Sequence, residues 1–268
     1  MSLRLNLIAD ADEVLYNRRV KINPLNGEVL EDVTASRPIF NPSGAVRRDH
    51  EKNRRADDSS GGSRQGISSA GDADGLSEGS TEGRARAAAR ARKELYELAA
   101  CNDFDLFFTL TLDKERIDRY DYKEAVKKLS QWLDNRVRRR GLRYIAVPEL
   151  HQDGAIHFHG LCNSEAARLV DSGRSDKGHT VYNLSDWSLG FTTAVKLYGD
   201  RNAAAHYIAK YVTKAAASGT TGTIGGRYFF HGGALNKARC VYYHEDFGSV
   251  EGKEVSIEAA GLTFKYRK

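Results

Sequence analysis

The sequence predicts an α+β domain in which helices pack on an antiparallel sheet. Runs of β-branched and aromatic residues, such as FDLFFTLTLD at 104–113, predict strands. Segments with apolar residues at helical spacing separate these runs and predict helices. The strand-like runs LRYIAVPEL and AIHFHGLC flank HQDG at 151–154, which predicts a hairpin. The order strand, helix, strand, strand, helix and strand, with one inserted strand, is that of a ferredoxin-like plan.

The helices and the remaining strands follow from local patterns. Residues 83–102 are rich in strong helix formers. Residues 121–141 place apolar side chains at helical spacing and end at Gly141, a residue type common just after a helix. A further helix is predicted at 201–216, after a polar excursion at 164–186. The remaining strands are predicted at 190–198, 227–233 and 239–245.

Composition divides the chain into three regions. Residues 1–55 are irregular, with a strand-like run at 16–24 and a basic run at 46–55 that fits a solvated segment better than a DNA-contacting arm. Residues 56–85 predict a disordered linker, because they hold too little apolar surface to offset the entropy of ordering. The domain is therefore expected over 86–268, behind a largely disordered N-terminal extension of unknown role.

Bulk properties narrow the class of protein. The 268 residues carry a net charge of +5, a mild preference for an anionic partner such as nucleic acid. Cys101, Cys162 and Cys240 lie far apart, which argues against a disulfide framework or a cysteine zinc site. No apolar run reaches the roughly 18 residues of a membrane span, and no secretory signal is visible. A soluble cytoplasmic protein without membrane partners is expected.

The strand IHFHG places two histidines on one face of the sheet. Alternate side chains of a strand share a face, so His157 and His159 point the same way. Two convergent imidazoles suit a divalent metal. The alternative is that both are polar residues on a solvated face, and an H-x-H pattern alone favours that alternative.

The preceding strand supplies a carboxylate that changes this balance. Glu149 and His151 are two residues apart, and a site of imidazoles and a carboxylate suits Mg²⁺ or Mn²⁺. A two-residue turn would pair Glu149 with Phe158 and put Glu149 on the wrong face. We therefore predict an odd-length connection, in which Gly154 takes a left-handed conformation. Glu149 is the preferred third ligand, and His151 is an alternative ligand or a contact to one.

The segment AHYIAKYVTKA, at 205–215, predicts a helix with two distinct faces. Helical residues step about 100° around the axis, so one stripe contains Tyr207, Lys210, Tyr211 and Lys214. The opposite side contains Ala205, Ile208, Ala209, Val212 and Ala216. The packing face is therefore not the tyrosine face, although tyrosines lying across a sheet edge, with lysines reaching solvent, stay an alternative.

A tyrosine hydroxyl is a poor nucleophile at its usual pKa near 10. A metal-polarised phosphate and a nearby lysine would favour its attack. The tyrosines, the lysines and the histidine site are thus complementary parts of one phosphoryl-transfer chemistry.

Three motifs occur in a fixed order: FFTLTL at 107–112, DGAIHFHGL at 153–161 and YIAKYVTK at 207–214. On these motifs, residues 86–245 resemble HUH-superfamily rolling-circle replication initiators. They are most similar to those of single-stranded-DNA phages, whose third motif holds two tyrosines separated by three residues, with a lysine before the second. The resemblance implies the HUH endonuclease fold, a ferredoxin-like or RRM-like sheet with helices packed on it.

The resemblance also implies a mechanism. A divalent metal held by His157 and His159, with Glu149 as third ligand, would polarise the scissile phosphate. Tyr207 or Tyr211 would attack it, leaving a 5′-phosphotyrosine and a 3′-OH that primes synthesis, and the other tyrosine would act in strand transfer. The candidates for binding DNA and stabilising charge near the phosphate are Lys210 and Lys214, of which Lys210 is the better supported.

The implied partners are single-stranded origin DNA and replication proteins of a bacterial host. The sequence shows no Walker-type P-loop, so a separate helicase, as well as a DNA polymerase, is expected. A relaxase or single-strand transposase of the same superfamily is an alternative, but relaxases usually carry the tyrosine before the histidines and many such transposases use one tyrosine. A non-catalytic DNA-binding module is the alternative from another class.

Overall fold

The protein is described here from a computed structural model, which covers residues 15–40, 81–199, 201–217, 227–257 and 262–267. These residues form three α-helices and twelve strands in two antiparallel sheets, which is the predicted α+β class. The chain divides into two compact units. One takes the described residues of Leu76–Lys237, and the other those of Met1–Gly75 and Ala238–Lys268.

The Leu76–Lys237 unit contains the larger sheet and all three helices. Its strands are β3 (Leu106–Leu112), β4 (Tyr144–Leu150), β5 (Ile156–Cys162), β6 (Leu169–Asp176), β7 (His179–Leu184), β8 (Gly190–Lys196) and β9 (Phe230–Gly232). Its helices are α1 (Thr81–Ala100), α2 (Tyr122–Arg140) and α3 (Arg201–Ala217). The sheet order is β6-β7-β8-β3-β5-β4-β9.

The centre of this sheet follows the predicted plan, and its edges differ from it. Strand β5 lies between β3 and β4, which α2 connects, as in a split β-α-β unit. The predicted polar excursion instead forms the β6–β7 hairpin, which extends the sheet because Val181 and Leu184 are buried. After α3, the three-residue β9 returns to this sheet, beside β4.

Helix α2 covers one face of the sheet. Alternate residues of β3, among them Phe108 and Leu110, point into this core, where Leu129 and Leu133 of α2 meet them. The helix starts where the Asp121 carboxylate accepts two backbone N–H groups, and it ends at a left-handed Gly141, as the sequence predicted.

Helix α3 packs on the opposite face, over β4 and β5. The predicted packing residues Ala205, Ile208, Ala209 and Val212 are all buried, so this part of the helical-face prediction is confirmed. Helix α1 packs against α3, with the rings of Tyr96 and His206 4.6 Å apart. The side chains of Lys214 and Ala216 lie outside the described part of the chain.

The second unit is a five-stranded antiparallel sheet that the sequence did not predict. Its strands are β1 (Leu15–Ile22), β2 (Val29–Phe40), β10 (Arg239–Tyr243), β11 (Lys253–Ile257) and β12 (Leu262–Arg267), in the order β10-β1-β2-β12-β11. The expected domain of 86–268 therefore differs from the structure, because 239–267 pair with N-terminal strands. The expectation of a largely disordered extension is corrected at 15–40, where the predicted strand at 16–24 is present.

Charged side chains contribute to this second sheet. Asp32 lies 2.7 Å from Arg18 and 3.3 Å from Arg267, and Arg267 also lies 2.7 Å from Glu245. These pairs join β1, β2 and β12 across more than two hundred residues of chain. Of the predicted linker, residues 56–80 fall outside the described ranges, and residues 81–85 are the first turn of α1.

Gly160 is packed too tightly for any other residue. A Cβ atom there would collide with the ring of Phe108 and lie 2.6 Å from the Ile145 carbonyl oxygen. We expect Gly160→Ala to lower the free energy of unfolding by about 1–3 kcal/mol, as overpacked core sites do. Urea unfolding monitored by circular dichroism measures this. Gly248→Ala is the matched control, since its Cβ would lie an ordinary 3.5 Å from Asp246, and equal stability losses would contradict the argument.

Candidate active site

The connection between β4 and β5 fixes the register of the site. It contains five residues, 151–155, and Glu149 is paired directly with His157. The His151 N–H donates to the Ala155 carbonyl at 2.8 Å, and Gly154 has a left-handed φ of 84°. The predicted odd-length connection and left-handed glycine are therefore confirmed. Because paired residues share a face, Glu149, His157 and His159 lie on one side of the sheet.

Glu149 contacts the second histidine of the pair. Its Oε2 lies 2.6 Å from Nε2 of His159, and the two side chains are only 14% and 12% exposed. A charged hydrogen bond in such a poorly solvated position is stronger than the same bond in water. The carboxylate and the imidazole are therefore held together as one unit on the sheet face.

Two threonines that the sequence analysis did not single out hold the other side of the imidazoles. The Thr109 hydroxyl lies 3.0 Å from Nδ1 of His159, and the Thr111 hydroxyl lies 3.4 Å from Nδ1 of His157. Both threonines belong to β3, which pairs with β5 residue for residue. The alternation T-L-T, set against the alternation H-F-H, was the signal that could have found them.

The donor set is suited to a divalent cation. With each Nδ1 engaged by a threonine, Nε2 is the coordinating nitrogen of each imidazole. Two imidazoles and a carboxylate match the ligand types that Mg²⁺ or Mn²⁺ accepts. Within the described ranges, however, no group of three or more His, Cys, Asp or Glu side chains is arranged to hold a metal ion.

Both tyrosines of α3 lie beside this cluster. The ring of Tyr211 stacks on His159, with centroids 4.1 Å apart and an interplanar angle of 19°. Its hydroxyl lies 3.0 Å from that of Tyr207, which is 47% exposed and packs edge-on against Phe107. The two hydroxyls therefore converge next to the imidazole–carboxylate pair.

Burial raises the pKa of the Tyr211 hydroxyl well above its ordinary value, and both the hydrogen bond with Tyr207 and the charge of Glu149 act in the same direction. Tyr211 is therefore a neutral phenol at neutral pH. Positive charge at the site would oppose this shift, because it favours the phenolate.

The lysines on the tyrosine stripe are less completely defined. Lys210 is exposed, and its Nζ lies 5.9 Å from the centre of the Tyr207 ring. Lys214 belongs to α3, but its side chain is outside the described part. The structure thus brings together Glu149, His157, His159, Tyr207 and Tyr211, with Lys210 at the rim.

The remaining predicted residue, His151, lies outside the carboxylate contact. Its ring stacks on that of His157 at 4.8 Å, and its side chain is 62% exposed. This position fits the prediction of a contact to a ligand as well as that of an alternative ligand.

Residues 105–216 match the model of a family of replication-associated proteins, the ORF2 family. The match starts one residue before β3, ends inside α3 and includes each candidate site residue named above. No curated protein and no solved structure matches the chain. The fold and the site therefore belong to a segment that is similar to a family of replication-associated proteins. None of the described helices has both the length and the apolar composition of a membrane span.

Thr109→Val tests whether the threonine hydroxyl orients His159. Because contacts to the outer nitrogen of a metal-binding imidazole set its tautomer, we expect about a tenfold or greater loss of Mn²⁺ affinity by isothermal titration calorimetry. Thr193→Val is the matched control, because Thr193 is exposed and lies directly across from Thr109 on β8. Equal affinity losses in both variants would show that the hydroxyl contact is irrelevant.

The protonation of His157 provides a pH prediction. Burial lowers its pKa below 6.5, and nearby His151 acts in the same direction. The unfolded chain therefore binds the proton more tightly, so this group's contribution to stability is complete above pH 6.5 and decreases as pH falls below it. In an NMR titration we expect His157 to titrate below 6.5 and His151→Ala to raise its midpoint. His179→Ala, three strands away, should leave the midpoint unchanged, and an unmoved midpoint in His151→Ala would contradict the assignment.

Proposed function

We propose that the protein is a replication initiator that nicks and rejoins single-stranded DNA at an origin, by metal-assisted tyrosine attack of the HUH type. The observation that carries this proposal is the convergence of two tyrosine hydroxyls, 3.0 Å apart, beside an imidazole–carboxylate pair. The match of the same segment to a replication-associated family supports DNA replication as the process.

The tyrosine hydroxyl is the nucleophile in this proposal. Its oxygen forms a bond to the scissile phosphorus as the bond from phosphorus to the 3′ oxygen breaks. The phenolic proton is lost and the departing 3′ oxygen gains one, which yields a 5′-phosphotyrosine and a free 3′-OH. Because one phosphodiester bond replaces another, the later rejoining step needs no external energy source.

The residues of the sheet would prepare the phosphate for this attack. His157, His159 and Glu149 would hold the cation, and Thr109 and Thr111 would keep the imidazoles oriented. A bound Mg²⁺ or Mn²⁺ supplies Lewis-acid polarisation of the phosphoryl oxygens. Lys210 would stabilise charge near the phosphate, and Lys214, one turn further along α3, would contact the DNA backbone.

The packing of α3 supports different roles for the two tyrosines. Tyr211 lies directly on His159, whereas Tyr207 is exposed and one helical turn away. Tyr211 is therefore placed for the first cut, and Tyr207 for the strand transfer that closes the product. The hydrogen bond between them keeps the second hydroxyl within reach of the same phosphate. A helicase to open the duplex and a polymerase to extend the 3′-OH would be the partners.

Single tyrosine variants test this assignment. The full chain is incubated with labelled single-stranded origin DNA and Mg²⁺ or Mn²⁺, and covalent adducts are separated on a denaturing gel. We expect Tyr211→Phe to lower the rate of the first adduct by about 1,000-fold or more, as loss of a nucleophile does. Tyr207→Phe should still form the adduct but fail in strand transfer. Tyr120→Phe, at a tyrosine that is 52% exposed, is the matched control and should retain both activities.

The same assay separates the alternatives. Adducts formed by the Tyr207→Phe, Tyr211→Phe double variant would refute both nucleophile assignments. Binding of origin DNA with no adduct in either metal would favour a non-catalytic DNA-binding module. An adduct that forms normally in Tyr211→Phe and is lost in Tyr207→Phe would reverse the order of the two tyrosines.

A further inference from the structure

Part of the sheet face that holds the histidines is not covered by a described helix. Helix α3 packs over β4 and β5, but β8, on the other side of β3, leaves Phe191 69% exposed and Thr193 exposed on this face. Phe191 is paired with Thr111, which is paired with His157. Two strand spacings, about 10 Å, therefore separate Phe191 from the candidate metal ligand.

A second exposed ring lies just past the other end of β8. Tyr198 is also 69% exposed, and its ring stacks on that of His179 from β7, with centroids 5.1 Å apart and an interplanar angle of 21°. The rise of a strand puts Phe191 and Tyr198 roughly 20 Å apart. Phe191, Tyr198 and His179 are called the aromatic platform below.

We propose that the aromatic platform binds nucleotides of the single-stranded substrate beside the scissile phosphate, by stacking bases on its rings. This inference rests on the function proposed above and extends it to the surface that holds the DNA. Every base has a π face, so stacking on Phe, Tyr and His tolerates different sequences. The platform would therefore contribute affinity, and sequence choice would come from other contacts.

The position of the site favours DNA as the occupant of this surface. A strand whose phosphate lies at Tyr211 must continue over the neighbouring protein surface. The β4 and β5 side is covered by α3, whereas the way across β3 leads to Phe191 without a described helix in between. The surface is thus continuous with the tyrosine–histidine site in the direction that is open.

The chemistry of the surface also favours stacked bases over an apolar partner protein. The exposed Thr193 lies between the two rings along β8, so they do not form one contiguous apolar patch. The β6–β7 hairpin carries Arg174 and Lys177, which are offset by Asp171 and Asp176. Rings presented singly on a nearly neutral surface are suited to π stacking rather than to burial against another protein.

Binding is measured separately from cleavage. The full chain carrying Tyr207→Phe and Tyr211→Phe is titrated, in EDTA, into fluorescein-labelled oligothymidylate and read by fluorescence anisotropy. We expect Phe191→Ala to weaken binding by about 5- to 100-fold, the range for loss of one stacked base. Phe191→Trp should retain the affinity, whereas Phe191→Leu, which keeps an apolar side chain without a π face, should lose as much as Phe191→Ala.

Val170→Ala is the matched control, because Val170 is 52% exposed on β6 and has no ring. It should bind DNA as tightly as the parent chain, and circular dichroism should show equal stability for all variants. Unchanged affinity in Phe191→Ala, full affinity in Phe191→Leu, or an equal loss in Val170→Ala would overturn the inference.

The two proposals fail in different ways. If the chain with both tyrosines forms adducts but Phe191→Ala binds DNA normally, the platform is refuted and the nicking function stands. If Phe191→Ala weakens DNA binding but the chain with both tyrosines forms no adduct, the platform stands and the nicking function fails.

Discussion

The register of β4 against β5 is the constraint on which the rest of the site depends. Side chains alternate along a strand with a period of two, so a shift of one residue would move Glu149 to the core face. The left-handed Gly154 and the hydrogen bond from His151 to Ala155 hold the five-residue connection that prevents this shift. The carboxylate therefore meets His159 at 2.6 Å, and the same register places Thr109 and Thr111 behind the two imidazoles.

The two faces of the sheet have different physical tasks. The α2 face is filled by apolar side chains and stabilises the unit, whereas the α3 face is half covered and carries polar groups. Partial burial strengthens the contact between Glu149 and His159 without isolating it from a ligand. It also raises the pKa of Tyr211, so that this nucleophile depends on positive charge at the site. Chemistry is therefore concentrated where the covered and open parts of one face meet.

Packing of α3 also determines where the tyrosines point. Burial of Ile208 and Val212 against the sheet fixes the rotation of the helix about its axis, which directs Tyr207 and Tyr211 to the histidine side. A helix held only by its own propensity would not define this angle, because most helical stability in proteins comes from packing of an apolar face. The hydrophobic face and the reactive face are thus parts of one device, and changes to the first should be felt at the second.

The sequence by itself determined the central strands and helices, the shared face of His157 and His159, and the division of α3 into packing and tyrosine faces. These features are local periodicities, readable within a window of one element. Even the position of Glu149 followed, since the alternation restricts the connection to an odd length. Only the tertiary structure decided that 239–267 pair with 15–40, that β6 and β7 extend the sheet, and that Thr109 and Thr111 contact the imidazoles. Those features depend on complementarity between segments far apart in the chain, for which no local pattern exists.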